Sequence, residues 1–343
     1  MKKNNNKNKT KLRFLIIPII ILVLVLTLAW FFKVANNYPK KQDLNYRLGY
    51  FGVTFSIKMA KELGLDWKEA FIATIDDLNV KNVRLPVYWD QITPRQNEYN
   101  FADYDWILNE GKKRNVEFVL NVGYRLPRWP ECHAPGWMSN KNKDYRDAEV
   151  LKMIETVVNR YKDRGEVEYW QVENEPFLDF FGECPESDVN FLQKEIDLVR
   201  SLDSRSILIS GSGELSTWQK ESKVGDIFGT TMYRVVWGPY FGYVRYPLPA
   251  AFYRLKADLA HIPQEKRIIS ELQAEPWVPS GSMKDMTDAE AQKSFSIEQF
   301  KANTQFAINV NFQKTYLWGV EWWYKKYKDG QSQYWDFAKT LFK

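Results

Sequence analysis

Histidine and cysteine are scarce in this chain, with two of each in 343 residues. Metal-dependent barrel hydrolases normally draw on several histidines, and here there are only His133 and His261. His261 lies in a helical stretch just before Pro263 and reads as structural. His133 stands beside Cys132, but no further spaced pair of ligands accompanies them, so no metal is expected. A Gly-x-Ser-x-Gly elbow and a phosphate-binding loop are also missing. Gly49-Tyr50-Phe51-Gly52 runs on into Val53-Thr54-Phe55, a strand pattern rather than a helix, so there is no dinucleotide fingerprint and no cofactor is expected. There are no sequence repeats and no low-complexity segment.

Acidic residues are absent from the first thirteen positions, which hold Lys2, Lys3, Lys7, Lys9, Lys11 and Arg13. An uncharged, mostly apolar run from Phe14 to Phe32 follows, interrupted only by Pro18 and Thr27. That run approaches the ~20 apolar residues a bilayer-spanning helix needs and exceeds the ~7–15 of a cleaved signal's apolar core. Trp30, Phe31, Phe32 and Lys33 have the composition of an interfacial belt. The expected layout is a basic cytoplasmic tail (1–13), a transmembrane signal-anchor (14–32) in contact with the lipid bilayer, a linker (33–47) and an extracytoplasmic body (48–343). The six tail cations exceed the chain's net charge of +5 by one, which leaves the remainder slightly negative. A near-neutral body gives no electrostatic reason to expect a nucleic-acid partner. Protein partners are not legible in the sequence.

In the body, short β-like runs alternate with helical patterns about eight times, which points to parallel strands joined by crossover helices. The expected strands are Leu48 to Phe55, Asn82 to Pro86, Glu117 to Val122, Val167 to Glu173, Ile207 to Gly211, Asp226 to Tyr233, Arg267 to Glu271 and Tyr316 to Trp322. Four helical stripes are expected to face the core: Trp67/Phe71/Ile75/Leu78, Val150/Ile154/Val157/Tyr161, Val189/Leu192/Ile196/Val199 and Phe252/Leu255/Leu259/Ile262. Eight such units in roughly 300 residues fit a (β/α)8 barrel preceded by one transmembrane helix.

Catalytic groups of such barrels sit at the C-terminal ends of the strands. The fourth strand ends in Glu173-Asn174-Glu175-Pro176 and the seventh in Ile268-Ile269-Ser270-Glu271. Two carboxyls facing each other across the mouth are the equipment of glycoside hydrolysis. Strand alternation turns Glu173 and Glu175 to the same side, so periodicity alone does not choose between them. Glu275 competes with Glu271, but it lies in a loop before Pro276 and reads as a subsite or surface residue. Glu321 either supports the site or faces the helices.

From Gly52 to Trp323 these motifs resemble the clan-A superfamily of retaining (β/α)8 glycoside hydrolases. The resemblance selects Glu175 as acid/base, after Asn174, and Glu271 as nucleophile. It implies that Arg84, in Asn82-Val83-Arg84-Leu85-Pro86, orients the nucleophile and that Tyr233 hydrogen-bonds it. It further implies that Asn174 contacts the sugar 2-hydroxyl and that Trp322 or Trp323 forms an aromatic floor. Trp89, Trp129, Trp137, Trp237 and Trp277 follow strand ends and are candidate sugar-stacking residues. Cys132 and Cys184 fall in the loops after the third and fourth strands and are expected to pair if the body is extracytoplasmic. The implied activity is retaining hydrolysis of a β-linked carbohydrate. A transglycosidase, or a non-catalytic glycan-binding barrel, would carry the same residues. The identity of the sugar, its linkage and endo or exo action are left open.

Overall fold

The computed structural model describes residues 4–40 and 49–343, with side chains from residue 17 onward. Leu48, where the first strand is expected to begin, and the linker from residue 41 lie outside the described residues. The strands β1 (Phe51–Thr54), β2 (Asn82–Pro86), β3 (Glu117–Val122), β4 (Val167–Val172), β5 (Ile207–Gly211) and β6 (Ile227–Met232) run parallel in consecutive order. An antiparallel hairpin, β7 (Val235–Gly238) and β8 (Gly242–Arg245), follows β6. Then β9 (Arg267–Gln273) and β10 (Thr315–Trp318) close the eight-stranded parallel barrel against β1. The expected (β/α)8 architecture is present.

Strand side chains alternate between the barrel lumen and the helix-covered outer face. The lumen floor is an apolar cluster of Val119, Leu208, Ile268 and Tyr316, one each from β3, β5, β9 and β10. The outer faces join the helices in one large core, whose members include Phe71, Ile154, Trp170 and Phe300. Several helices start on a side chain that accepts from orphan backbone N–H groups, such as Asp66, Asn142, Asp188, Thr287 and Ser296.

The eighth strand departs from expectation. It stops at Trp318 because Gly319 turns the chain at φ 133°, and a helix (Val320–Lys328) takes up Trp322 and Trp323. A side chain at Gly319 would run into Glu275 and the Ala274 backbone, so this turn requires glycine.

The fourth helical stripe also differs. In the helix Ala250–Leu259 it is Ala251, Tyr253 and Ala257 that are buried, while Leu259 is exposed. Phe252 instead packs edge-on against Phe31, with ring centroids 6.0 Å apart. Phe31 belongs to the N-terminal helix (Asn4–Asn36), whose stretch from Ile17 to Asn36 is long and apolar enough to cross a membrane. In the third stripe, Val189 is exposed at the helix start while Leu192, Ile196 and Val199 are buried.

Candidate active site

Regular pairing of β4 ends at Val172, and both Glu173 and Glu175 take left-handed backbone conformations, at φ 58° and 44°. Alternation therefore stops, and the two carboxyls part company rather than sharing a side as the sequence suggests. The Glu173 carboxylate turns away from the mouth and accepts from the backbone N–H groups of Tyr124 and Arg125, each at 2.6 Å. It sits over Gly123, where any side chain would overlap it. Glu175 turns into the mouth. Its backbone N–H donates to Ser210 Oγ at 2.9 Å, and its Oε1 accepts from Thr231 Oγ1 at 2.9 Å.

Glu271 reaches the same mouth through an irregularity in β9. Ile268 points into the lumen floor and Glu271 into the mouth, although three positions separate residues that should face opposite ways. The pairing shows how. Along β6 the register steps from Thr230 against Ile269 to Thr231 against Glu271, and along β10 it steps from Thr315 against Ile269 to Leu317 against Leu272. β9 thus carries one extra residue at Ser270, a bulge that re-aims the following side chain. Glu271 Oε1 accepts from Arg84 Nη1 at 2.6 Å, and its Oε2 accepts from Tyr233 Oη at 3.0 Å. Arg84 is fully buried and has been fixed from three further sides: it donates through Nε to Gln171 Oε1 at 2.7 Å, through Nη2 to Asn174 Oδ1 at 2.9 Å, and weakly to Thr54.

The electrostatics of the two carboxyls differ accordingly. Glu271 has a cation and a phenol directed at it. Glu175 has one neutral hydroxyl, and burial together with the neighbouring Glu271 charge pushes its pKa up to about 8. Burial, and then the Glu271 charge, likewise push the Tyr233 phenol upward, keeping it a donor.

A third carboxyl, absent from the sequence expectations, lies beside this pair. Glu131, in the loop after β3, lines the mouth and is pushed up to about 8 by burial and the Glu271 charge. Its Oε2 accepts from Asn174 Nδ2 at 3.3 Å. Asn174 is itself buried, its Oδ1 accepting from Arg84 and from Ser210 at 3.1 Å, so it sits behind Glu131 rather than on the cavity wall. Arg128 enters from the same loop. It binds Glu275 through both terminal nitrogens and Glu321 at 3.2 Å, and its guanidinium lies 3.9 Å from the ring centroid of Trp318. Glu275 and Glu321 are therefore both buried partners of Arg128, and Glu275 also lines the cavity.

The cavity is about 900 Å³ and is lined by Glu131, Glu175, Glu271 and Tyr233 together with Trp129, Trp237, Trp277 and Trp318. Three of the five candidate sugar-stacking tryptophans are thus on its wall. Trp89 and Trp137 are not: Trp89 is buried against Trp137, whose indole N–H donates to the Thr93 carbonyl at 2.9 Å. Trp322 and Trp323 are not on the wall either. They pack on Phe295 and Phe300 among the helices, and it is Trp318, at the true end of the eighth strand, that lines the cavity. Cys132 and Cys184 form a disulfide that ties the loops after β3 and β4 together. Among the described residues, no group of three or more His, Cys, Asp or Glu side chains is arranged to hold a metal ion.

A (β/α)8 barrel with two opposed mouth glutamates, one clamped by Arg and Tyr and the other buried with a raised pKa, defines the class of retaining glycosidases. The chain belongs to the cellulase family, glycosyl hydrolase family 5, whose description matches residues 50–272. No curated protein sequence matches it. Among solved structures it is similar to a GH5_18 protein from Bifidobacterium longum (13% identity over 79% of this chain and 70% of that one, TM-score 0.56). It is also similar to a xylanase from Thermotoga petrophila solved with xylobiose (17% identity, 82% and 87% covered, TM-score 0.54). An exo-β-1,4-mannosidase from an Opitutaceae bacterium aligns at 15% identity, with 78% of this chain and 51% of that chain covered and a TM-score of 0.53. At these identities the likeness is one of fold.

Proposed function

We propose that Glu271 is the nucleophile and Glu175 the acid/base of a β-glycosidase that works by double displacement, and that the N-terminal helix anchors this barrel in a membrane with its body outside. The observation that carries the assignment is the asymmetry between the two carboxyls. Arg84 at 2.6 Å and the Tyr233 phenol at 3.0 Å aim a cation and a hydrogen-bond donor at Glu271 and hold its carboxyl in place to attack an anomeric carbon. Glu175, pushed up to about 8, holds a proton at neutral pH and can pass it to the departing glycosidic oxygen.

Once Glu271 is bonded to the sugar its charge is gone, and with it one cause of the raised Glu175 pKa. Glu175 then ionises more readily and can take a proton from the water that releases the sugar. Tyr233 and Arg84 return to the liberated Glu271 carboxylate. The tryptophans of the wall offer flat apolar faces to the C–H surfaces of sugar rings, and Glu131 offers hydrogen bonds to hydroxyls. Support for anchoring is a largely exposed apolar stretch, Ile17 to Asn36, preceded by a basic tail. Protease added to intact cells is expected to digest the barrel and spare the tail.

The assignment is tested with a panel of aryl β-glycosides, using NMR of the first-formed sugar and azide rescue. The β-anomer is expected first. Azide is expected to rescue Glu175→Ala as a β-glycosyl azide and Glu271→Ala as the α-anomer. An inverted first product, or the same azide anomer from both variants, rejects it.

A further inference from the structure

The direction in which the N-terminal helix meets the barrel fixes which face of the barrel looks towards its apolar stretch. A helix that follows a barrel strand starts at the mouth and descends to the opposite end. The helix Ala250–Leu259, between β6 and β9, therefore has Phe252 near the mouth and Asp258 near the far end. Phe31 packs on Phe252, whereas Tyr38 donates through its hydroxyl to Asp258 and accepts through its carbonyl from Arg254 Nη2 at 2.6 Å. The N-terminal helix and the segment after it thus descend alongside in the same direction. Chain continuity agrees, since β1 starts at the far end with Phe51. Residues 17 to 30, roughly 20 Å of helix at 1.5 Å per residue, accordingly project past the mouth.

The mouth side is also where the barrel's exposed apolar surface lies. Trp129, Phe180 and Leu215 line the cavity yet are 62%, 72% and 54% exposed. Tyr240 and Phe241, at the tip of the β7–β8 hairpin, are 90% and 84% exposed. They come from the loops after β3, β4, β5 and β6, which places them on one rim. On the far side, comparably exposed large apolar residues among those described are single ones, Leu259 and Tyr327, as on any protein surface. An aromatic-rich rim is costly in water and well suited to the headgroup region of a bilayer.

We propose that the catalytic mouth faces the bilayer that holds the N-terminal helix, and that the substrate is a β-linked sugar tethered to a lipid of that same leaflet. This rests on the glycosidase and anchor readings above. A soluble polymer would have to enter between rim and membrane. A lipid headgroup is already there, with its sugar at the depth of Glu175 and Glu271 and its lipid among the rim aromatics. Sharing a surface raises the effective concentration of substrate without any new contact.

The test uses the full chain reconstituted in phospholipid vesicles. Two single-cysteine labels report orientation: one at the rim (Tyr240→Cys) and one at the far end (Lys266→Cys), each carrying a fluorophore that brominated phospholipid quenches. Quenching is expected at 240 and not at 266. For substrate class, hydrolysis of a dialkylglycerol β-glycoside in the same vesicles is compared with that of a water-soluble aryl β-glycoside of the same sugar. A preference for the tethered sugar of at least about tenfold is expected. That ratio should fall severalfold in Tyr240→Ser/Phe241→Ser. Equal or reversed quenching overturns the orientation, and a ratio of one or less overturns the substrate class. Failure to cleave any glycoside in the presence of rim quenching would instead reject the glycosidase reading.

Discussion

Glu173 and Glu175 stand two residues apart at the end of one strand, and both are buried with raised pKa values, yet they inhabit different chemistry. Glu175 opens onto a cavity of about 900 Å³ and faces a second carboxylate across it. Glu173 opens onto a crevice of about 70 Å³, walled by the disulfide and by Glu195 of the helix Val189–Leu202. Burial raises Glu173 while two backbone N–H groups and Glu195 bind it, and burial and then the Glu173 charge raise Glu195. A perturbed carboxyl therefore does not by itself mark a catalytic one. What separates the two is access to a volume that a sugar can enter, and a partner acid on its far wall.

The largest expected effect is on the far wall. With Glu271 as the proposed nucleophile, Glu271→Ala should remove the covalent step, and a loss of kcat of roughly 10⁵-fold or more is expected, comparable to deleting other covalent nucleophiles. Glu175→Gln should cost about 10²–10⁴-fold on substrates whose leaving group needs a proton and much less on an activated aryl glycoside. Glu173→Gln sharpens the comparison. It should leave kcat within a fewfold but lower stability by about 1–3 kcal/mol, because the two N–H groups point at separate carboxylate oxygens and the NH2 that replaces one of them cannot accept. Urea unfolding and steady-state kinetics on the same three variants decide the matter. A Glu173 variant that loses activity while keeping its stability would erase the distinction.

How much of this was legible follows from where each residue sits. Arg84 and Glu271 lie within β2 and β9, and Glu175 and Tyr233 just beyond β4 and β6; the strong strand patterns bring all four towards one mouth, and the resemblance is what singles them out. Trp322 and Trp323 were misplaced because an apolar run conceals where a strand gives way to a helix, and the signal that does mark it is Gly319 at φ 133°. The bulge at Ser270 left no trace in the apolar pattern, so the inward aim of Glu271 was inferred from its neighbours' resemblance rather than from alternation. Glu131 and Arg128 were invisible for a further reason. Both take positive φ in an irregular loop, at 73° and 93°, and no periodicity applies there. The run Arg128-Trp129-Pro130-Glu131, with both charges inside an otherwise apolar loop, was the available hint.

The disulfide ties the crevice of Glu173 to the wall of the mouth, and its effect is purely structural. It closes a sequence separation of 52 residues. Chain entropy then puts its contribution at about 4 kcal/mol, less whatever structure the unfolded chain retains. Cys132→Ser/Cys184→Ser should unfold at correspondingly lower urea, and titration of the unreduced, denatured native chain should find no free thiol. Two titratable thiols would remove the bridge.

The pH dependence of stability reads the mouth as a whole. Glu131 and Glu175 are pushed up to about 8, and Glu214, which lines the same cavity from the loop after β5, to about 7, chiefly by burial, from an ordinary value of 4.5. Each raised value means that the folded state binds a proton more tightly than the unfolded chain does. The stabilisation is thus complete below pH 4.5 and is lost as pH rises through 7 to 8. The urea midpoint should accordingly decline between pH 5.5 and pH 8.5. Catalysis should fall over the top of the same window for a separate reason, since Glu175 gives up the proton it donates. Glu131→Gln separates the two. It removes one titrating carboxyl, so stability should depend less steeply on pH, while the alkaline limb of kcat/KM persists because Glu175 is still present. A pH slope left unchanged by Glu131→Gln would show that this carboxyl is already ionised in the folded protein, and the raised value argued for its neighbour Glu175 would lose its support.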